Sequence, residues 1–175
     1  MALTLEDGTA RADADSYASV ADLRSYADAR GITVPTDDSA CEALLREAFE
    51  YLTFAYRWAG TPVSDDQAGA FPRLDVPSPT GGYYAATAIP AVVKRAQLLL
   101  ALQAQSGSLL VPTASTNGAV TKESVKVGPI ERSTEYKVES ATAAVGRFPQ
   151  VDALLASLAA IETGKGFSAL RLARS

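Results

Sequence analysis

The sequence predicts a mainly α fold, a small helical bundle of about four helices with one β-hairpin. Apolar residues recur at helical spacing in four stretches, and turn residues bound each of these stretches. Alternation of apolar and charged residues stands out in one place, between residues 120 and 138. The 175 residues are enough for a single domain that buries about 70% of its unfolded surface.

Composition divides the chain into three parts. Residues 1–15 are small, polar and acidic without a period, and we expect them to form a flexible N-terminal arm. Residues 16–163 contain all the periodic segments and form the predicted helical domain with its β-hairpin. Residues 164–175 form a basic C-terminal tail.

Capping signals mark the first two helices. Ser19 followed by Asp22 predicts a capping box for the first helix, which ends at Gly31. A second helix is predicted over Ser39–Ala59, with a capping box formed by its first residue and Glu42. We expect the apolar seam of this helix to pack on the third helix.

The third helix, Ile89–Gly107, is the longest apolar segment and the predicted centre of the fold. Pro90 suits its first turn, and Gly107 suits the position just beyond its last turn. Apolar residues lie nearly all round this helix, which predicts burial. It is too short to span a membrane, and polar residues interrupt it: Lys94, Arg95, Gln97 and Gln103. A fourth helix opens at Phe148–Pro149 and is predicted to run to Gly164.

A β-hairpin is predicted over Val120–Val127 and Ile130–Val138. Its basic residues are candidates to face DNA or a channel: Lys122, Lys126, Arg132 and Lys137. A free-standing nucleic-acid binder is typically basic and carries several aromatic residues, whereas this chain is acidic and the hairpin has Tyr136 as its one aromatic residue. Sequence-specific DNA binding is therefore disfavoured, and weak contact with the DNA backbone, as in a channel wall, remains open.

Residues 61–88 are predicted to be a long connection rich in proline and glycine. Connections of this length are usually functional or are ordered by a partner. Four of its residues are candidates for contact between subunits: Phe71, Arg73, Tyr83 and Tyr84. The alternative is that these residues pack on the helices of their own chain.

Several kinds of chemistry are disfavoured by the residues present. The chain has no histidine, which excludes Ser-His-Asp catalysis and histidine metal ligation. Glu47 and Glu50 are better explained as a solvated helix face than as an acid–base pair, because no pocket is indicated. We therefore predict no enzyme, catalytic residue, cofactor or metal site. Cys41, the single cysteine, is expected to be buried, and the N-terminal residues do not read as a secretory signal.

Charge is distributed unevenly along the chain. The net charge is −4, but residues 1–88 carry 14 acids and 6 bases, whereas residues 89–175 carry 6 acids and 10 bases. The acidic half of one copy could therefore pair with the basic half of a neighbour. The alternative is that the asymmetry is chance and both halves are simply solvated.

A succession of short segments resembles a known family. The segments, in chain order, are DSYASVADLRSYADARG, a helix with Tyr51-Leu52, Phe71-Pro72-Arg73, IPAVVKRAQLLLALQ, VKVGPIE and FPQVDALL. Together they resemble the head–tail connector proteins of long-tailed bacteriophages, also called adaptor or head-completion proteins. Some members of that group are labelled DnaT-like single-stranded DNA-binding. The long loop before Ile89 and the tail after Gly164 depart from the pattern.

This resemblance implies a structural virion protein made in the host cytoplasm. Many copies, expected to be twelve, would form a ring on the portal vertex, extend the DNA channel and dock the tail or stopper protein. The implied partners are further copies of the chain, the portal protein and a tail or head-closure protein, with non-specific contact with genomic DNA and no membrane.

The C-terminal tail is a candidate docking segment in this interpretation, since it combines basic and apolar residues: Lys165, Phe167, Leu170, Arg171, Leu172 and Arg174. The alternative function is a single-stranded DNA-binding module.

Overall fold

A computed structural model describes residues 3–109, 122–127, 130–135 and 148–161 of the chain; within residues 122–127, 130–135 and 159–161 the description covers the backbone. The chain divides into two compact units. We call Met1–Leu110 with Arg147–Glu162 the helical unit, and Val111–Gly146 with Thr163–Ser175 the hairpin unit.

The described residues contain four helices and six short strands. In chain order they are α1 (Val20–Asp28), α2 (Asp38–Ala55), β1 (Tyr56–Trp58), β2 (Thr61–Pro62), β3 (Arg73–Leu74), α3 (Ala91–Ala104), β4 (Lys122–Val127), β5 (Ile130–Glu135), α4 (Pro149–Leu155) and β6 (Ala159–Ile161). The strands form three antiparallel pairs: β1 with β6, β2 with β3, and β4 with β5. The predicted fold class, a small helical bundle with a β-hairpin, is confirmed.

The start of α1 follows its sequence signal. The Ser19 hydroxyl accepts the backbone N–H of Asp22 at 3.1 Å, and the Asp22 carboxylate accepts the backbone N–H of Ser19 at 2.9 Å. The predicted capping box is therefore confirmed. The helix ends at Asp28, and Gly31, with a φ of 65°, closes the turn that follows it.

The start of α2 differs from its predicted capping box. Asp37 is the N-cap, and its carboxylate accepts the backbone N–H of Ala40 at 3.2 Å. The Ser39 hydroxyl donates to that same carboxylate, so it does not cap the helix. Glu42 instead pairs with Arg46 one turn later, at 3.3 Å. The stronger acceptor, placed one residue before the helix, takes the capping position.

The predicted end of α2 at Ala59 is also wrong. The helix stops at Ala55, because the chain becomes extended at Tyr56 and pairs with β6, which follows α4. The same pairing explains why α4 stops at Leu155 rather than continuing to Gly164. Tyr56 and Trp58 are buried while Arg57 between them is exposed, which is the alternation of a strand with one buried face.

Residues 3–15 form part of the helical unit and do not extend from it as the predicted arm. Leu5 forms a parallel bridge with Ser16, and the backbone N–H of Glu6 donates to the Ser16 carbonyl at 2.8 Å. The Glu6 side chain is 3% exposed, and its carboxylate accepts the backbone N–H groups of Gly8, Ala10 and Arg11. These bonds close the segment into a loop with its one buried carboxylate satisfied.

The core lies between α2 and α3, as the sequence predicts. Cys41, Leu45 and Leu52 of α2 and Val93 and Leu100 of α3 are fully buried. Among the described residues, no helix has both the length and the apolar character needed to cross a membrane.

One polar side chain, Gln97, is fully buried in the middle of α3. Its carbonyl oxygen accepts the backbone N–H of Tyr17 at 2.9 Å. Its amide nitrogen donates to the Ser16 hydroxyl at 2.8 Å and to the Leu45 carbonyl at 2.9 Å. The central helix is thereby joined by hydrogen bonds both to α2 and to the segment before α1.

We predict that Gln97→Leu lowers the free energy of unfolding by about 3 kcal/mol, because a buried N–H and a buried carbonyl lose their partners. Urea denaturation of the purified protein measures this change. Gln103→Leu, an exposed glutamine on the same helix, is the matched control and should change stability by less than about 0.5 kcal/mol. Equal effects of the two substitutions would contradict the role given to Gln97.

Candidate nucleic-acid interface

An open groove of about 660 Å³ lies in the helical unit where α2 passes into β1. Its lining residues come from two consecutive stretches of the chain, 53–58 and 60–73. We call it the 53–73 groove. Its main features are an exposed aromatic ring and two arginines.

Phe54 presents the aromatic ring. It lies in the last turn of α2 and is 72% exposed, while its neighbours Leu52 and Ala55 are buried in the core. A helical residue on the face opposite the core has no apolar surface of its own chain to cover it. The phenyl ring is therefore open to a flat partner.

Arg57 provides the first cation. It is the middle residue of β1, and the strand alternation that buries Tyr56 and Trp58 leaves it exposed. It follows Phe54 by three residues, across the junction of helix and strand. The ring and the guanidinium therefore line the same groove.

Arg73, the first residue of β3, provides the second cation. Its Nε donates to the Ala59 carbonyl at 2.8 Å, and its Nη1 donates to the Ala70 carbonyl at 3.2 Å. Its Nη2 donates to the Gly60 carbonyl at 2.7 Å and reaches the Trp58 carbonyl at 3.5 Å. Burial lowers the pKa of this guanidinium below its ordinary value. Carbonyl oxygens satisfy the donors but do not neutralise the charge.

Tyr17 supports the loop that forms the far wall of the groove. Its hydroxyl accepts the backbone N–H of Phe71 at 3.0 Å, and its ring packs on Phe49 with the centroids 4.7 Å apart. A Cβ at Gly69 would lie 2.5 Å from the Tyr17 hydroxyl and 2.6 Å from Phe49, so the loop approaches as closely as it does because residue 69 is glycine. Phe71 in turn packs edge-on against Trp58, with the centroids 5.0 Å apart.

The charge of the groove contrasts with the rest of the helical unit. Within the described residues, the ion pairs involve Arg11, Arg24 and Arg46, and neither groove arginine takes part in one. Asp65 is the one acid among the lining residues. Two arginines outside any described ion pair, against one acid, thus line the groove together with an exposed aromatic ring.

Comparison with known proteins adds a family to this geometry. A family model described as "Putative DnaT-like ssDNA binding protein" matches residues 1–175. The chain belongs to this family. No curated protein and no solved structure matches the chain.

In this member of the DnaT-like family, three of the four loop residues predicted to contact a neighbouring subunit contact their own chain instead, and the fourth is exposed. Phe71 is 1% exposed, and Arg73 is held by carbonyls of its own chain, so both make the intrachain contacts considered as the alternative. Tyr84 is partly buried against the core. Tyr83 is 69% exposed.

The hairpin cations occupy register positions that mix the two signs of charge. Lys122 lies opposite Glu135, and Lys126 lies opposite Glu131. Arg132 lies opposite Val125, so it belongs to the other face of the ribbon. Lys137 and the tail residues 164–175 lie outside the described residues, as do the contacts predicted for them.

Sequence reasoning did not single out Phe54 and Arg57. Phe54 falls off the apolar seam of α2, and this position could have been found from the helical spacing alone. The exposure of Arg57 follows from strand alternation, whereas the sequence pattern predicts a helix over residues 56–58. No local signal predicts the carbonyl contacts of Arg73, because the acceptors come from two separate turns.

Burial raises the pKa of the Tyr17 phenol above its ordinary value of 10.0. The folded state therefore retains a proton that the unfolded state loses as the pH rises past about 10. We predict full stability from this group below pH 10 and a progressive loss above it, of up to about 1.4 kcal/mol per pH unit.

Urea denaturation of Tyr17→Phe between pH 8 and 11 checks this prediction. The variant should lose about 1 kcal/mol at pH 8, because the Phe71 N–H loses its acceptor, and should show a shallower decline above pH 10. Tyr83→Phe, at an exposed tyrosine, should leave the profile unchanged. A decline in Tyr17→Phe as steep as in the wild type would assign the alkaline loss to other groups.

Proposed function

We propose that this chain binds single-stranded DNA at the 53–73 groove. The observation that carries the proposal is the exposed Phe54 ring in one groove with two arginines that, within the described residues, have no carboxylate partner. Family membership agrees with this function, since the family description names single-stranded DNA binding. The groove, rather than the hairpin lysines, is the main contact with DNA in this proposal.

The ring argues for a single strand rather than a duplex. An exposed aromatic side chain binds a base by stacking on its face, and both faces of a paired base are covered within a duplex. Every base has such a face, so the contact carries little sequence information. The proposed binding is therefore largely independent of sequence.

Charge limits the strength of binding by one copy. The described part of the helical unit carries more acids than bases, and the groove offers two cations. Phosphate contacts supply most of the non-specific affinity for nucleic acids. One copy would thus bind weakly, and useful affinity would need several copies on one strand.

We predict that Phe54→Ala weakens binding of a fluorescent oligothymidylate about tenfold or more, because one stacking contact is lost. Fluorescence anisotropy at low salt measures the affinity. Ile32→Ala, which removes an exposed apolar side chain outside the groove, is the control and should bind like the wild type. Absence of binding by the wild-type protein at low salt would remove the proposal.

Arg57→Gln tests the electrostatic part of the same contact. Its affinity should fall, and the slope of log affinity against log salt should become smaller by about 0.7, the value for one phosphate contact with a single strand. Arg30→Gln removes an exposed arginine that stacks on Tyr26, and it serves as the control for charge. The same decrease in both variants would indicate a general charge effect.

As a second candidate, we propose that the chain is a head–tail connector subunit that forms a ring between the portal protein and the tail or stopper protein. The observation that favours it is the compact loop over residues 76–84. Pro77 bridges to Tyr83, the Ser78 N–H donates to the Gly82 carbonyl at 3.0 Å, and the Tyr84 N–H donates to the Val76 carbonyl at 2.9 Å.

This loop presents Tyr83 to solvent on an ordered backbone. A large aromatic side chain that an ordered loop holds exposed is suited to insertion into a neighbouring subunit, more so than one at a chain end. Two features of the sequence support the same function. Its segments follow one another in the order that resembles head–tail connector proteins, and its acidic and basic halves could pair between neighbouring copies. Weak DNA contact by each copy is compatible with a ring that surrounds DNA.

We predict that Tyr83→Ser reduces ring formation when the chain is coexpressed with the portal protein of its own genome, because the loop loses its main apolar contact. Mass measurement and electron microscopy of the purified complexes count the copies. Ile32→Ser, at another exposed apolar residue, is the control. A wild-type chain that remains monomeric with the portal present would contradict this candidate.

A further inference from the structure

The charge of Arg73 has no counter-charge within the described part of its own chain. Four carbonyl oxygens, from Trp58, Ala59, Gly60 and Ala70, surround its guanidinium. They use donors on all three nitrogens, out of the five N–H groups that an arginine carries. None of these four carbonyl groups carries a negative charge.

Arg57 adds a second cation to the same groove. Like charges in one concavity raise each other's free energy unless an anion lies between or beside them. A groove wall of low dielectric also focuses the field of such charges toward the mouth. Because neither arginine has a carboxylate partner within the described residues, the 53–73 groove is suited to binding an anion.

The two arginines differ in what they can offer an anion. Arg73 has committed most of its donors to the backbone, so it acts through its charge and by holding residues 59, 60 and 70 in place. Arg57 is exposed and takes part in no ion pair within the described residues, so its donors can point at an oxygen. Arg57 is the direct ligand in this arrangement, and Arg73 is a positioning residue.

The ring of Phe54 identifies the class of anion. An aromatic platform beside an anion site matches a nucleotide, in which a base adjoins a phosphate. We propose that the groove contains a subsite for one phosphodiester group. Arg57 binds this group directly, the positive charge of Arg73 attracts it, and the adjoining base stacks on Phe54. This inference rests on the proposed single-stranded DNA binding and assigns its contacts.

Nuclear magnetic resonance of the full chain tests the subsite with three probes. Inorganic phosphate carries the anion alone, thymidine carries the base alone, and the dinucleotide thymidylyl-thymidine carries one phosphodiester with its bases. The signals followed are the Nε–H groups of Arg57 and Arg73 and the ring protons of Phe54. Arg57→Gln and Arg73→Lys assign the two arginine signals by their loss or shift.

We expect phosphate to shift the arginine signals, thymidine to shift the Phe54 ring, and the dinucleotide to shift both. The Nε–H signal of Arg30, outside the groove, should stay unchanged with every probe. Arg57→Gln should abolish the effect of phosphate on Arg73 while leaving the effect of thymidine on Phe54. This variant keeps the test valid if substitution of Arg73 prevents folding, because Arg57 is exposed.

Removal of the one acid in the groove gives a gain of function that misfolding cannot imitate. Asp65→Asn should tighten binding of oligothymidylate roughly two- to fivefold at low salt, the size expected for one exposed charge. Asp66→Asn, the adjacent exposed acid that does not line the groove, should leave the affinity close to that of the wild type. Equal gains in both variants would overturn the subsite.

The outcomes separate the subsite from the function on which it rests. Arginine signals that do not move with phosphate or dinucleotide overturn the subsite, and the proposed function then stands only if oligothymidylate binding still depends on Phe54. Shifts with phosphate but not with the dinucleotide assign the subsite to free phosphate and overturn the nucleic-acid source.

Discussion

The buried side chain of Gln97 joins the parts of the helical unit. It is the polar residue at the centre of α3, and its three hydrogen bonds reach Tyr17, Ser16 and Leu45. Tyr17 extends this connection through its hydroxyl to the loop around Phe71. An amide in the core therefore determines where a surface groove lies some distance along the chain. A buried amide costs free energy unless every partner is in place, so the arrangement favours one packing over its alternatives.

Arg73 orders the connection after β1 with little regular secondary structure. A guanidinium that binds four carbonyls takes the place of a short ladder of backbone hydrogen bonds and joins residues 58–60 to residue 70 beside the two-residue strands. Within the described residues, the arrangement leaves this charge without a carboxylate partner, in a unit that carries more acids than bases. The same residue thus stabilises the loop and makes the groove attractive to an anion.

Signals confined to one turn of chain were predicted well, and pairings between distant segments were not. Ser19 and Asp22 lie three residues apart, so their capping box is visible in the sequence. The ends of α2 and α4 depend on the pairing of Tyr56 with Ile161, which no local pattern encodes. Gln97 reads in the sequence as a polar interruption of an apolar helix, because its partners come from other elements. The groove was missed for the same reason: its far wall is brought to Phe54 by contacts of Tyr17 and Arg73.

Trp58 gives the protein a built-in optical reporter. It is the single tryptophan of the chain, and its indole N–H donates to the Leu52 carbonyl at 3.0 Å. Its ring contacts both Tyr56 and Phe71, while its own backbone carbonyl belongs to the cage around Arg73. Tryptophan emission therefore arises from one fluorophore, which lines the groove. Changes in its wavelength or lifetime would follow local opening of this wall without any attached dye.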